Sequence, residues 1–185
     1  MFINSNRTDH HLLAAITGLA ILILVVVELV LNLTPPISRD ALIHHLAIPK
    51  LWLRHGGFYD TPWSVFSYYP MNVDLLYLIP LYFQKDFLAK FIHMSFGLGT
   101  AVMIYHYLKN RFHRAAGLLG VLVFLSTPVV VRLSTQAYVD LGLAFFTTAA
   151  ILSFIRYRDG RFKQFQWLLV SSVAMGLALG TKYNA

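Results

Sequence analysis

Three residues of this chain could act together on a substrate that carries both a phosphate and a hydroxyl: Asp40, Asp140 and Lys182. A carboxylate within hydrogen-bond reach of a hydroxyl can take its proton. An ammonium can stabilise charge growing on a leaving phosphate. Each residue also has a plainer structural reading. An Asp in a first helical turn is favoured by the helix dipole, which accounts for Asp40 and Asp140 alike. A Lys at a helix end commonly snorkels. His44 and His45 follow Asp40 closely. Asp40 and His44 share a helix face, where they could contribute to a divalent metal site. Such a site needs further ligands, and the sequence does not single them out, so metal and cofactor stay open. The plainer reading of both imidazoles is hydrogen bonding at a membrane interface.

Whether these groups meet depends on the elements that carry them. Of 185 residues, 57% are hydrophobic and only 12% charged, against about a quarter charged in a soluble domain. The apolar residues form runs long enough to cross a bilayer. The net charge is +7, but Lys and Arg crowd short loops between apolar runs. That is the orientation signature of a membrane protein and not a nucleic-acid patch. Membrane lipids are therefore the expected surroundings, and nucleic acid is not an expected partner. The chain has no cysteine, which excludes disulfides, thiolate zinc sites and a Cys nucleophile.

The fold expected is all-α and integral to the membrane, with about five transmembrane helices at 12–33, 87–108, 115–131, 138–155 and 165–181. After the polar residues 1–11, the first apolar run is too long for a signal-peptide core and reads as an uncleaved span. It contains the only Glu of the chain, Glu28, which can snorkel or face the bundle. Residues 34–86 form the large loop between the first two spans, rich in proline and aromatic residues. Within it, Ser38 reads as the N-cap of an amphipathic helix over 39–54, kinked at Pro49 and ended by Gly56 and Gly57. A second helix over 72–83 is too short to cross and is expected to lie along the membrane surface. Gly97, Gly99, Gly176 and Gly180 permit close helix packing. His93 and His106 show no partner pattern.

In order along the chain stand Arg39-Asp40-Ala41-Leu42-Ile43-His44-His45-Leu46, Phe66-Ser67-Tyr68-Tyr69-Pro70-Met71-Asn72, Ser126-Thr127-Pro128, Ala137-Tyr138-Val139-Asp140 and Gly176-Leu177-Ala178-Leu179-Gly180-Thr181-Lys182-Tyr183. Taken together they resemble the C-fold membrane glycosyltransferases, above all the bacterial relatives of the protein O-mannosyltransferases and of the lipid A aminoarabinose transferases. Where many members have an Asp-Glu pair, Ala41 follows Asp40 here. The resemblance implies transfer of a sugar from a polyprenyl-phosphate carrier to a lipid, glycan or protein acceptor, with inversion, on the non-cytoplasmic face of the cell's inner (plasma) membrane. It implies that Asp40 is the general base and that Asp140 orients the acceptor or the first-loop helix. It places Lys182 by the carrier phosphate, with His44 and His45 also at the substrate site. Family members have more spans, so residues 1–185 would be the N-terminal module of a longer enzyme whose C-terminal half is missing. Two other readings stand beside it: a transporter segment for a lipid-linked solute, and a non-catalytic membrane assembly subunit.

The basic loops around 109–114 and 156–163 fall on the N-terminal side only if 72–83 does not span, and loop 34–86 then lies outside. In intact cells, an Asp60→Cys variant is expected to react with an impermeant maleimide and a Gly160→Cys variant is not. The reverse pattern would invert the topology.

Overall fold

The computed structural model describes residues 3–183, with side chains from residue 11 onward. Residues 1–2 and 184–185 lie outside the described residues. Eight α-helices follow one another among them: α1 (Ile3–Asn32), α2 (Ala47–His55), α3 (Asn72–Tyr82), α4 (Leu88–Arg111), α5 (Arg114–Ser126), α6 (Pro128–Ser134), α7 (Asp140–Asp159) and α8 (Phe165–Leu179). The protein is an all-helical, multi-pass membrane protein. Among the described residues, three helices are long and apolar enough to cross a bilayer: α1 over His11–Asn32, α4 and α7. Their lipid-facing positions are apolar, as at Leu19, Val26, Val102 and Ile151.

The third and fifth expected spans differ from expectation. The run 115–131 is not one helix: α5 and α6 meet at 70°. Pro128 disfavours helical backbone at the residue before it, and Thr127 is extended while Pro128 opens the next helix. The fifth run forms only the 15-residue α8, about 22 Å of rise. The helix expected over 39–54 also divides. A π-turn covers Ala41–His45, with the Leu46 amide bonded to the Ala41 carbonyl at 2.9 Å, and α2 starts afresh at Ala47. Pro49 is the cause. It has no N–H for the carbonyl of His45, and its ring would crowd that carbonyl in a continuous helix. In the first turn of α2 it is harmless. Ser38 makes no capping bond; its hydroxyl is buried and unpartnered. Gly56 does end α2, at φ +81°.

Inside the bundle, polar side chains hold the ends of broken helices. Lys90 donates to the Leu31 carbonyl and to Thr34 Oγ1 at 3.0 and 3.1 Å, closing the end of α1. Asn32 donates to the Ser134 carbonyl at 3.0 Å. Glu28, 1% exposed, faces the bundle beside Ser134 and does not snorkel. His93 accepts the Leu141 amide on Nε2 and therefore donates from Nδ1 to the carbonyls of Leu133 and Gln136, all at 2.9 Å. One imidazole thus fixes the connection from α6 to α7. His106 is exposed.

The first turns of α3 and α7 come close together. A Cβ on Gly142 would stand 2.7 Å from Val73 Cγ2, whereas one on Gly176 would meet nothing within 4 Å. The Gly176–Gly180 pair is therefore not one packing stripe: only Gly180 is crowded, by Asn72. Gly142→Ala is expected to lower stability by about 1–3 kcal/mol. Gly176→Ala, in a helix interior, should leave it unchanged or raise it by up to about 1 kcal/mol. Thermal unfolding in detergent micelles checks both; equal midpoints would remove the Val73–Gly142 approach as a constraint.

Candidate functional site

The folds just described bring one end of the bundle together around a cavity of about 220 Å³. Asp40 and the π-turn supply one wall. A π-turn is wider than an α-helical turn and often marks a functional position; here it carries His44 and His45 into the wall. The short 3₁₀ turn Val65–Tyr68 and the extended residues after it supply Phe66 and Tyr69. α3 brings Asp74, the start of α7 brings Asp140, and the turn after α8 brings Lys182. All five residues expected from the sequence, Asp40, His44, His45, Asp140 and Lys182, line this one cavity.

Their environments differ. Asp140 and Lys182 form an ion pair, Nζ donating to Oδ1 at 2.6 Å, each side chain about a third exposed. The amide of Asn72 also bonds the Gly180 carbonyl at 3.0 Å, docking the end of α8 on the start of α3. Lys182 is thereby held from two directions. Asp40 is exposed at the cavity rim, open to an incoming hydroxyl.

The adjacent histidines part company. His44 stacks on Phe66, ring centroids 4.4 Å apart and planes 12° from parallel. Burial, then the neighbouring His45 and Lys182, lower its pKa to about 4 against the opposing pull of Asp40. It is a neutral aromatic surface at neutral pH. His45 instead donates from Nδ1 to Asp74 Oδ1 at 2.7 Å, with Asp74 only 2% exposed. Burial pushes the Asp74 carboxyl up, and the bond to His45 opposes that. Beneath them Tyr77 donates its hydroxyl to the Tyr138 carbonyl. Burial and the nearby Asp74 and Asp140 raise the pKa of this phenol, so it remains a donor.

Asp74 is the site residue that sequence reading passed over. Twenty-nine positions separate it from His45, and no local spacing marks the pair. Its one signal was a carboxylate inside an otherwise apolar helix. The metal reading fares less well. Asp40 and His44 gain no further ligands, and no cluster of three His, Asp or Glu with metal-binding geometry occurs among the described residues.

A helical membrane protein with acids, imidazoles and a lysine gathered at one end of its bundle is built for polar chemistry beside lipid. A family model described as dolichyl-phosphate-mannose-protein mannosyltransferase matches residues 57–185. The chain belongs to this family of membrane glycosyltransferases, which use a lipid-phosphate-linked sugar. The match includes Asp74, Asp140 and Lys182 and begins after Asp40, His44 and His45. No curated protein and no solved structure matches the chain.

The lowered pKa of His44 carries a pH consequence. The folded imidazole resists protonation down to about 4, while the unfolded one takes up its proton near 6.5. Stability is therefore lost as pH falls from about 6.5 towards 4. His44→Phe, which preserves stacking on Phe66, is expected to flatten that acid limb, seen as a smaller drop in unfolding temperature between pH 7 and about 4.5. An unchanged limb would show that His44 is solvated.

Proposed function

We propose that the chain carries the catalytic end of an enzyme that transfers a sugar, from a polyprenyl-phosphate donor, to a hydroxyl of a lipid, glycan or protein acceptor on the non-cytoplasmic face of the plasma membrane. The observation that carries this reading is the meeting of Asp40, Asp140 and Lys182 at one small cavity, although 142 positions separate the first and last.

The exposed Asp40 carboxylate is the general base. The acceptor oxygen attacks the anomeric carbon as its proton passes to Asp40. The bond from that carbon to the phosphate oxygen breaks, and its electron pair stays on the phosphate. Direct displacement inverts the anomeric configuration. Lys182, held by Asp140, stands by the oxygens on which charge grows, and a fixed cation there is worth most where water is excluded. His44 on Phe66, with Tyr69 against Tyr183, provides flat apolar surface for a sugar ring.

The cavity is smaller than the roughly 300–1,000 Å³ of pockets that enclose a whole ligand, so it takes the reacting groups alone. On the other side of the same segment lies a groove of about 1090 Å³, walled by Leu33, Pro36, Leu42, Trp52, Leu81 and Phe87. It offers apolar room for the lipid carrier. Lys50 and Asp86, which also line it, form an ion pair between α2 and the start of α4.

The test is sugar transfer by membranes containing the full-length protein, supplied with polyprenyl-phosphate mannose. Asp40→Asn keeps the shape and is expected to lower turnover by about 10²–10⁴-fold. Turnover equal to wild type would remove Asp40 as the base. No transfer by the wild-type protein with any polyprenyl-phosphate hexose or pentose would remove the enzyme reading.

A further inference from the structure

The charges around the small cavity do not suit an anionic donor as they stand. Three carboxylates line it, Asp40, Asp74 and Asp140, and one lysine, Lys182. That lysine is already paired with Asp140 at 2.6 Å. A sugar-bearing phosphate brings further negative charge into a partly desolvated space, where like charges repel strongly. Some group must become more positive when the donor enters. His44 does not meet the need: its ring lies flat on Phe66, and its pKa is lowered to about 4, so it stays neutral.

His45 does. It is 8% exposed and lines the cavity. Its Nδ1 is committed to Asp74 at 2.7 Å, which leaves Nε2 as the nitrogen free for a ligand. Asp74 in turn is fixed within α3, whose Val73 packs against α7 and whose Tyr77 reaches the Tyr138 carbonyl. A buried carboxylate behind an imidazole sets its tautomer and stabilises the imidazolium once that forms.

We propose that Asp74 is a positioning residue for His45, and that His45, protonated as the donor enters, binds the donor's phosphate through Nε2–H. This rests on the glycosyltransferase reading above and deepens it. One proton moves from solvent to His45 on binding, and no covalent bond to the imidazole forms. The groups that face His45 come from every neighbouring element: Asp40 and His44 on its own segment, Asp74 and Tyr77 from α3, and His93 from α4. Tyr138 and Asp140 approach from the start of α7, and Lys182 from the turn after α8. Lys182 opposes a second positive charge, and the carboxylates favour it.

The experiment titrates the full-length protein in nanodiscs with polyprenyl phosphate lacking the sugar. It is followed calorimetrically in two buffers of different ionisation heat, between about pH 5.5 and 8. Wild type is expected to take up protons on binding, with affinity falling as pH rises. Asp74→Asn is expected to bind roughly 10- to 100-fold more weakly at neutral pH and to recover on acidification, because the amide no longer stabilises the imidazolium. A merely structural Asp74 would weaken binding equally at every pH, which would overturn its assignment. His45→Asn keeps a donor towards Asp74 but removes Nε2; it should keep the wild-type unfolding temperature and lose both affinity and proton uptake. Wild-type binding without proton uptake, or His45→Asn binding like wild type, would overturn the role of His45. Sugar transfer that persists in either case leaves the glycosyltransferase reading standing, whereas a wild type that neither binds polyprenyl phosphate nor transfers sugar sinks both.

Discussion

The imidazole of His93 bears more of this structure than any other single group. It sits fully buried in α4, takes one amide from the first turn of α7 and gives its proton to two carbonyls at the end of α6. Backbone that leaves helical geometry inside a membrane protein must find partners, because lipid offers none. The residues from Thr135 to Val139 are non-helical; among them His93 holds the Gln136 carbonyl and Tyr77 that of Tyr138. The bond from the Leu141 amide to His93 sets where α7 begins, and Asp140 is its first residue. The reach of Asp140 to Lys182 therefore depends on a ring carried by α4. Asn32 and Lys90 play the same part at the end of α1, where the chain leaves towards Asp40.

A second constraint is the placement of Pro49. A continuous helix from 39 to 54 would turn His44 and His45 about 100° apart on one regular cylinder. Because Pro49 must sit in a first turn, the preceding residues close with a π-turn instead. The wider turn lets two successive imidazoles enter one wall with opposite fates. One lies flat on Phe66, and the other is gripped by Asp74. The wider turn thus does what neither residue type would do by itself.

Much of this was legible before the coordinates. Apolar run lengths revealed the membrane helices, and Gly56 marked the end of α2. Asp40, Asp140 and Lys182 could be named because their positions relative to the spans put them at one end of the bundle. What escaped were the features set by tertiary contact. The α5–α6 bend was signalled by Pro128, yet apolarity on both sides of it suggested one span. Ser38 carried a cap's chemistry but was buried without a partner. The Asp74–His45 pair and the three bonds of His93 join residues 29 to 48 positions apart, and no periodicity reports a contact of that kind. The glycine spacing at 176 and 180 looked like one packing motif, but α8 turns only the second glycine towards a neighbour.

The family match and the cavity do not share a boundary. Matching begins at residue 57, so the phosphate side of the proposed site, Asp74, Asp140 and Lys182, lies within it, and Asp40 with its two histidines lies before it. On the proposed chemistry this division has a physical sense. The donor's phosphate presents the same charge whatever the acceptor, and a cation held by Asp140 suits it in every case. The acceptor hydroxyl arrives in many shapes, and the base that meets it stands on the π-turn segment between α1 and α2. That segment is tied to the rest through His45 and Asp74. The pair therefore joins the acceptor side of the cavity to the phosphate side, and a charge arriving at one would be felt at the other through a single buried hydrogen bond.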